Sequence, residues 1–278
     1  MTDEPRFVYA TRIGGHAYRY LTARPRTGRV VSSFSGGINL LFEEGEAFVP
    51  VQTASVALHP WAIEIPGEPL RFAEGTPVRV RSGEFLAGDT YIVFSTAQVE
   101  ELSLPRFSTH EAVIARHNLP ILARFGEEAR KAHPPDPFQT EIDAILVRWH
   151  DSGDPRMFFD LIGLGAGATP SGDDVLVGLL AGLSLLKGED SKCEEVLMHL
   201  HLVISDTARS RTPLPSAQML LAACEGAFPE PLLILLEHLA SSNTLHSVII
   251  ERSARVAELG HHSGLAIILG LARARVLI

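Results

Sequence analysis

The sequence predicts an α+β protein in two parts: a small β-barrel or sandwich-like domain over residues 1–105, and a mostly α-helical domain over residues 106–278. Three observations predict it. The first hundred residues are short β-branched or alternating runs punctuated by Gly and Pro. The rest carries apolar residues at the three-and-four spacing of amphipathic helices. Hydrophobic residues make up 46% of the 278, enough to fill a core in each part.

The strands come first. Residues 29–34 are rich in β-branched side chains and end on the turn signal Ser35-Gly36-Gly37. This turn could also expose N–H groups to a ligand, although a plain hairpin turn accounts for it. Residues 38–42 run to Glu43-Glu44-Gly45, and residues 47–51 follow. Residues 62–65 and 78–81 alternate before Pro66-Gly67 and Ser82-Gly83, and residues 89–94 make another strand. Strands this short and this regularly broken suit a small barrel or sandwich.

The period changes near Arg106, the expected domain join. Thr109 is the expected cap of a first helix with Glu111 in its first turn. Residues 138–150 place Ile142, Ile145, Leu146 and Trp149 on one face, and residues 191–208 do the same with Val196, Leu197, Leu200, Val203 and Ile204. Further helices are expected over 214–224, 231–240, 244–259 and 263–276, with a rigid loop at His133-Pro-Pro-Asp-Pro.

The net charge of −9 argues against a nucleic-acid-binding surface or a polybasic membrane contact. Cys193 and Cys224 are the only cysteines and form no CxxC, so a reducing cytoplasm is the expected location. The acidic start, Met1-Thr2-Asp3-Glu4, lacks the apolar stretch of a signal peptide. The longest apolar run, residues 175–186, is too short to span a bilayer. Within it, Gly178 and Gly182 read as a site of close helix packing.

The most informative segment is Gly163-Leu-Gly-Ala-Gly-Ala-Thr-Pro-Ser-Gly-Asp-Asp174, a glycine-rich turn entering a helix. Gly163, Gly165 and Gly167 allow close backbone approach or positive φ. Thr169 or Ser171 is the expected cap, with Pro170 in the first turn and Asp174 completing a capping box. Free N–H groups at such a helix start favour anions, yet Asp173 and Asp174 bring two negative charges there. A divalent cation such as Mg²⁺ or nearby arginines would reconcile the two. The segment is neither a Walker loop nor a dinucleotide fingerprint. Two readings stay open: a small-molecule pocket, or a capped helix that merely packs closely.

Other residues join this candidate site. Arg209 and Arg211 stand beside Thr212 and Ser216 at a helix end, where they clamp a carboxylate or phosphate, or simply compensate the helix dipole. His261-His262-Ser263-Gly264 opens the last helix, with His262 and Ser263 as further candidates. Residues 171–179 also echo residues 263–271 without a gap: Ser and Gly begin each, and Gly-Leu ends each. The second copy has Leu265-Ala266 in place of the two acids.

The Gly163–Asp174 motif, the Thr/Ser segment at 212–216 and the late Gly260-His-His-Ser-Gly264 resemble the AllH-type subunit family of oxamate carbamoyltransferase, from anaerobic allantoin degradation. The resemblance implies carbamoyl transfer between oxalurate and phosphate, giving oxamate and carbamoyl phosphate, by a chain that works with other subunits. It implies a small carboxylate or amide ligand and a phosphate-type ligand. Asp173, Asp174 and Arg211 would then be catalytic. Gly163, Gly165, Gly167, Thr169, Ser171, Gly172, Arg209, Thr212, Ser216, His262 and Ser263 would bind substrate, with Asp173 and Asp174 the expected ligands of any Mg²⁺. Leu265-Ala266 depart from the acid that the late segment often carries. The residues themselves leave two alternatives open: a non-catalytic metabolite-binding or scaffold protein, since no nucleophile or base is evident, and a metal-assisted amide hydrolase using the Asp pair.

Overall fold

The computed structural model describes residues 5–132, 134–152, 154–188 and 190–276. The four residues read for a signal peptide, and His133 of the proline-rich loop, lie outside the described residues. The chain divides into two compact units, Met1–Leu102 and Ser103–Ile278.

The first unit is a ten-stranded sheet with one helix, α1 (Gly15–Thr22). The strands are β1 (Arg6–Tyr9), β2 (Arg12–Gly14), β3 (Arg26–Phe34), β4 (Gly37–Phe42), β5 (Ala47–Thr53), β6 (Ile63–Ile65), β7 (Pro77–Arg81), β8 (Glu84–Ala87), β9 (Thr90–Val93) and β10 (Gln98–Glu100). Their spatial order is β1-β9-β8-β7-β3-β4-β5-β6-β2-β10. Only Ala10 and Thr11 separate β1 from β2, yet the two strands lie toward opposite ends of this order. Three Cα steps span about 11 Å at most, so the sheet must curl until its ends approach. The Ala10 N–H donates to the Val93 carbonyl (2.8 Å) and the Thr11 N–H to the Glu64 carbonyl (2.9 Å). The unit is thus a curled half-barrel, and the sandwich alternative falls away because there is one sheet. Ile13, Val30, Leu40, Phe42, Val51, Phe85 and Phe94 fill its interior.

The second unit is helical: α2 (Thr109–Ala132), α3 (Gln139–Ser152), α4 (Ser171–Leu186), α5 (Ser191–Arg211), α6 (Leu214–Cys224), α7 (Glu230–Ala240), α8 (His246–Ala257) and α9 (Ser263–Arg273), with a 3-10 stretch at Pro155–Leu161. α4 is apolar on all sides beyond its first turn and buried almost end to end, as a central core helix must be. α9 lies along it. A Cβ on Gly178 would sit 2.0 Å from the Ile267 carbonyl oxygen, and one on Gly270 2.0 Å from the Val175 carbonyl oxygen. The displacement that maps Ser171 onto Ser263 also maps Val175 onto Ile267 and Gly178 onto Gly270. The sequence echo is therefore a reciprocal contact: each copy's glycine receives the other copy's backbone. Gly182 continues the close packing, 2.5 Å from the Ala274 Cβ by the same construction.

Two caps differ from expectation. Ser108, not Thr109, caps α2: its hydroxyl oxygen accepts the Glu111 N–H (3.3 Å) and its own N–H donates to the Glu111 carboxylate (2.7 Å), while the Thr109 hydroxyl donates to the Gly188 carbonyl (2.9 Å). α4 has Pro170 at its N-cap and no side-chain cap, because Thr169 and Asp174 are engaged elsewhere. Among the described residues no helix is long and apolar enough to cross a membrane.

Candidate functional site

The glycine turn links the 3-10 stretch to α4. Gly163, Gly165 and Gly167 all have positive φ, at 80°, 140° and 83°. Two of them serve packing within the chain. A Cβ on Gly163 would lie 2.3 Å from the Arg211 carbonyl oxygen, and one on Gly165 2.5 Å from the Ser171 nitrogen. Gly172 similarly admits the Leu161 carbonyl. Only Gly167 has open space around it, within the exposed run 166–169.

The start of α4 is not the open anion cradle the sequence suggests. The Gly172 N–H donates to the Leu164 carbonyl (2.8 Å), and those of Asp173 and Asp174 to the Pro170 carbonyl (3.0 and 3.2 Å). The N–H groups of Gly172 and Asp173, two that a helix start normally leaves free, are thus satisfied by the turn, and that of Asp174 makes the first ordinary bond of the helix.

The two acids point to different partners. Asp173 is 1% exposed. Its carboxylate accepts from the Gly163 N–H (2.9 Å), the Ser216 hydroxyl (2.7 Å) and the Thr212 hydroxyl. It ties the glycine turn to the end of α5 and the start of α6. Burial pushes its pKa above the ordinary carboxylate value, and the Thr212, Gly163 and Ser216 hydrogen bonds oppose that. Asp174 is 7% exposed and hydrogen-bonds to Ser263 instead. Its Oδ2 is buried without a hydrogen-bond partner among the described residues. Burial pushes its pKa up to about 8, with the negative charges of Asp173 and Asp136 adding to the rise and the Ser263 hydrogen bond opposing it. At neutral pH Asp174 is mostly a neutral carboxylic acid, a donor as well as an acceptor.

Ser263 links this acid to the surface. Its hydroxyl lies 2.9 Å from that of Thr169 in the exposed part of the turn. Thr169, Ser263 and Asp174 form a chain of exchangeable protons from solvent into the core. Ser263 begins α9, so the glycine contact between α4 and α9 fixes the spacing of the pair.

The remaining candidates flank the turn. Arg209 and Arg211 are exposed in the last turn of α5. The Arg211 guanidinium lies over the Phe159 ring at 3.8 Å, beside the glycine turn that its own carbonyl abuts. Ser171 is buried at the head of α4. His262 is half-buried, its ring 4.3 Å from that of His261, and it lines a cleft with Arg130, Asp136 and Gln139. Sequence reasoning missed those three. The one available signal was Asp136 within the Pro-Pro-Asp-Pro turn, and nothing in the sequence brings that turn to α9.

The acids do not fit Mg²⁺. Asp173 is occupied by three donors, and the two acids face different partners, Asp174 turning to Ser263. Among the described residues no group of three or more His, Cys, Asp or Glu could hold a metal ion.

No curated protein and no solved structure gives a significant match to the chain. Two family models do match. Residues 9–99 match the AllH family N-terminal domain, and residues 161–275 match the oxamate carbamoyltransferase subunit AllH. The first covers most of the curled sheet. The second covers the glycine turn, both acids and every hydroxyl they bond. Together the two matches span most of the chain, which belongs to the AllH family of oxamate carbamoyltransferase subunits.

Proposed function

We propose that this subunit supplies a buried acid and its proton path to carbamoyl transfer between oxalurate and phosphate, giving oxamate and carbamoyl phosphate within a multi-subunit complex. The observation that carries the reading is Asp174: a buried carboxyl, neutral at pH 7, with one unpartnered oxygen and a two-hydroxyl link to an exposed turn. In phosphorolysis a phosphate oxygen attacks the carbamoyl carbon, the C–N bond to oxamate breaks, and the departing nitrogen needs a proton. Asp174 provides it through Ser263 and Thr169, and the proton lost by hydrogen phosphate restores the acid. This is general acid catalysis by a group with a pKa near the working pH.

The exposed N–H groups around Gly167 serve the carbamoyl oxygen as negative charge develops on it. Arg209 and Arg211 attract the phosphate. Asp173 is a positioning residue in this reading: it holds the turn, Thr212 and Ser216 in register and touches no substrate. Other subunits complete the site, and the setting is allantoin breakdown in a reducing cytoplasm.

The test is oxalurate phosphorolysis by the complex reconstituted with and without this chain, and with Asp174→Asn and Ser263→Ala. Partner subunits that reach the full rate without this chain would sink the proposal. Full turnover with both variants would favour a scaffold role, which the wholly structural engagement of Asp173 supports.

A further inference from the structure

We propose that the cleft between the end of α2, the loop before α3 and the first turn of α9 binds a small carboxylate that also carries an amide N–H group. The proposal deepens the function above and rests on it for the ligand's identity; the cleft's own chemistry sets the ligand class.

The cleft has a volume of about 180 Å³. One side carries donors. Gln139 Nε2 is buried with no hydrogen-bond partner among the described residues, and a buried donor without an acceptor is destabilising until one arrives. Arg130 brings a guanidinium. Its Nη1 lies 3.8 Å from Asp143, whose other oxygen is 3.7 Å from Arg273. Both distances exceed a hydrogen bond, so Asp143 holds neither guanidinium tightly. A guanidinium and an amide NH₂ facing one space suit a planar carboxylate.

The opposite demand comes from Asp136. It lines the same cleft, and one of its oxygens accepts the Phe138 N–H (2.9 Å). Beside a carboxylate ligand it would repel, unless the ligand presents an N–H donor to it. The ligand must therefore be anionic at one end and an amide donor at the other. Leu265 and Ala266 give the cleft an apolar wall. They stand where the internal repeat places Asp173 and Asp174 in the other copy, so that half of the repeat provides a surface and the other half provides the acid. His262, also on the wall, precedes Ser263 in the chain, and the Asp136 charge acts on Asp174.

The experiment is calorimetric titration of oxamate into the full chain, alone and in the assembled complex. Oxalate, which lacks the N–H donor, is the second probe. Gln139→Glu keeps the side chain's shape and puts a charge where the carboxylate sits; Arg130→Met removes the cation. The expected result is saturable oxamate binding, weakened about tenfold or more by each variant, a change of about 1.4 kcal/mol, with oxalate binding more weakly than oxamate. Unchanged binding in both variants overturns the cleft, as does the lack of saturable binding to chain and complex. Turnover lost in Asp174→Asn with oxamate binding intact in Gln139→Glu removes the cleft and leaves the acid. The reverse pattern removes the acid and leaves the cleft.

Discussion

Asp174→Asn removes a proton that folding forces onto a buried acid, and its signature is in the pH dependence of stability. The folded pKa is raised from 3.8 to about 8, chiefly by burial. Below 3.8 both folded and unfolded chains carry the proton, and the stability favouring the protonated fold is fully present. As pH rises, the unfolded chain releases the proton first and the folded chain holds it until about 8. Each pH unit in that window costs the fold about 1.4 kcal/mol. Between pH 5 and pH 7 the acid therefore removes about 3 kcal/mol from the wild type. Asn cannot ionise, so the variant keeps that stability, and all other titrating groups cancel in the comparison. Trp149 is buried in the helical unit and reports its unfolding in urea once Trp61 of the sheet unit is replaced by Phe. The wild type should lose about 3 kcal/mol more than Asp174→Asn between these two pH values. Parallel profiles would mean that the folded carboxyl is already ionised, and the neutral donor on which the proposed chemistry depends would fail with it.

The helix crossing, the Asp173 cluster and Arg211 give further tests. Gly178→Ala places a methyl 2.0 Å from the Ile267 carbonyl oxygen and should cost about 3 kcal/mol in chemical denaturation. Gly270→Ala should cost about the same, and the double variant less than the sum, because one separation of α4 from α9 relieves both clashes; strict additivity would argue against a shared contact. Thr212→Val and Ser216→Ala each remove a hydroxyl donor from the buried Asp173 carboxylate and should cost about 1.5–3 kcal/mol, seen as a lower Tm, whereas an unchanged Tm would mean that Asp173 does not tie the segments together. Arg211→Ala gives up a cation–π contact at an exposed site, about 0.5–1 kcal/mol. In the complex it should raise KM for phosphate, and a loss of kcat at unchanged KM would count against its assigned role.

Much of this architecture was legible where a pattern spans enough residues. α6 begins and ends where the pattern places it, and β4, β5 and β7 extend by at most two residues. Short strands were legible only where they alternate or are β-branched, as in β6 and β9. β1, β2, β8 and β10 also have three or four residues each, and they exist because neighbouring strands accept them in register. α1 was missed for a related reason: it lies between strands and buries only Gly15, Ala17 and Leu21. The Gly163–Asp174 turn was legible as a candidate site, but the different partners of its two acids were not. Adjacent helix positions point about 100° apart. Here one direction meets α5 and α6, and the other meets α9, far along the chain. The missed residues Arg130, Asp136 and Gln139 share this cause, since their relation to α9 is purely tertiary. The Ser108 cap was misjudged by one position because Ser108 and Thr109 are both competent hydroxyl caps, and Thr109 had a carbonyl elsewhere.

The reciprocal glycine contact between α4 and α9 has a consequence for the energetics of turnover. Backbone meets backbone at Gly178 and Gly270, so the two helices can neither slide nor part without opening the core of the unit. Asp174 rides on one helix and Ser263 on the other. Their spacing, and with it the acid's affinity for its proton, is set when the chain folds. In the proposed chemistry the carboxyl need not be dehydrated when substrate arrives, because the desolvation that keeps Asp174 neutral has already been met by folding.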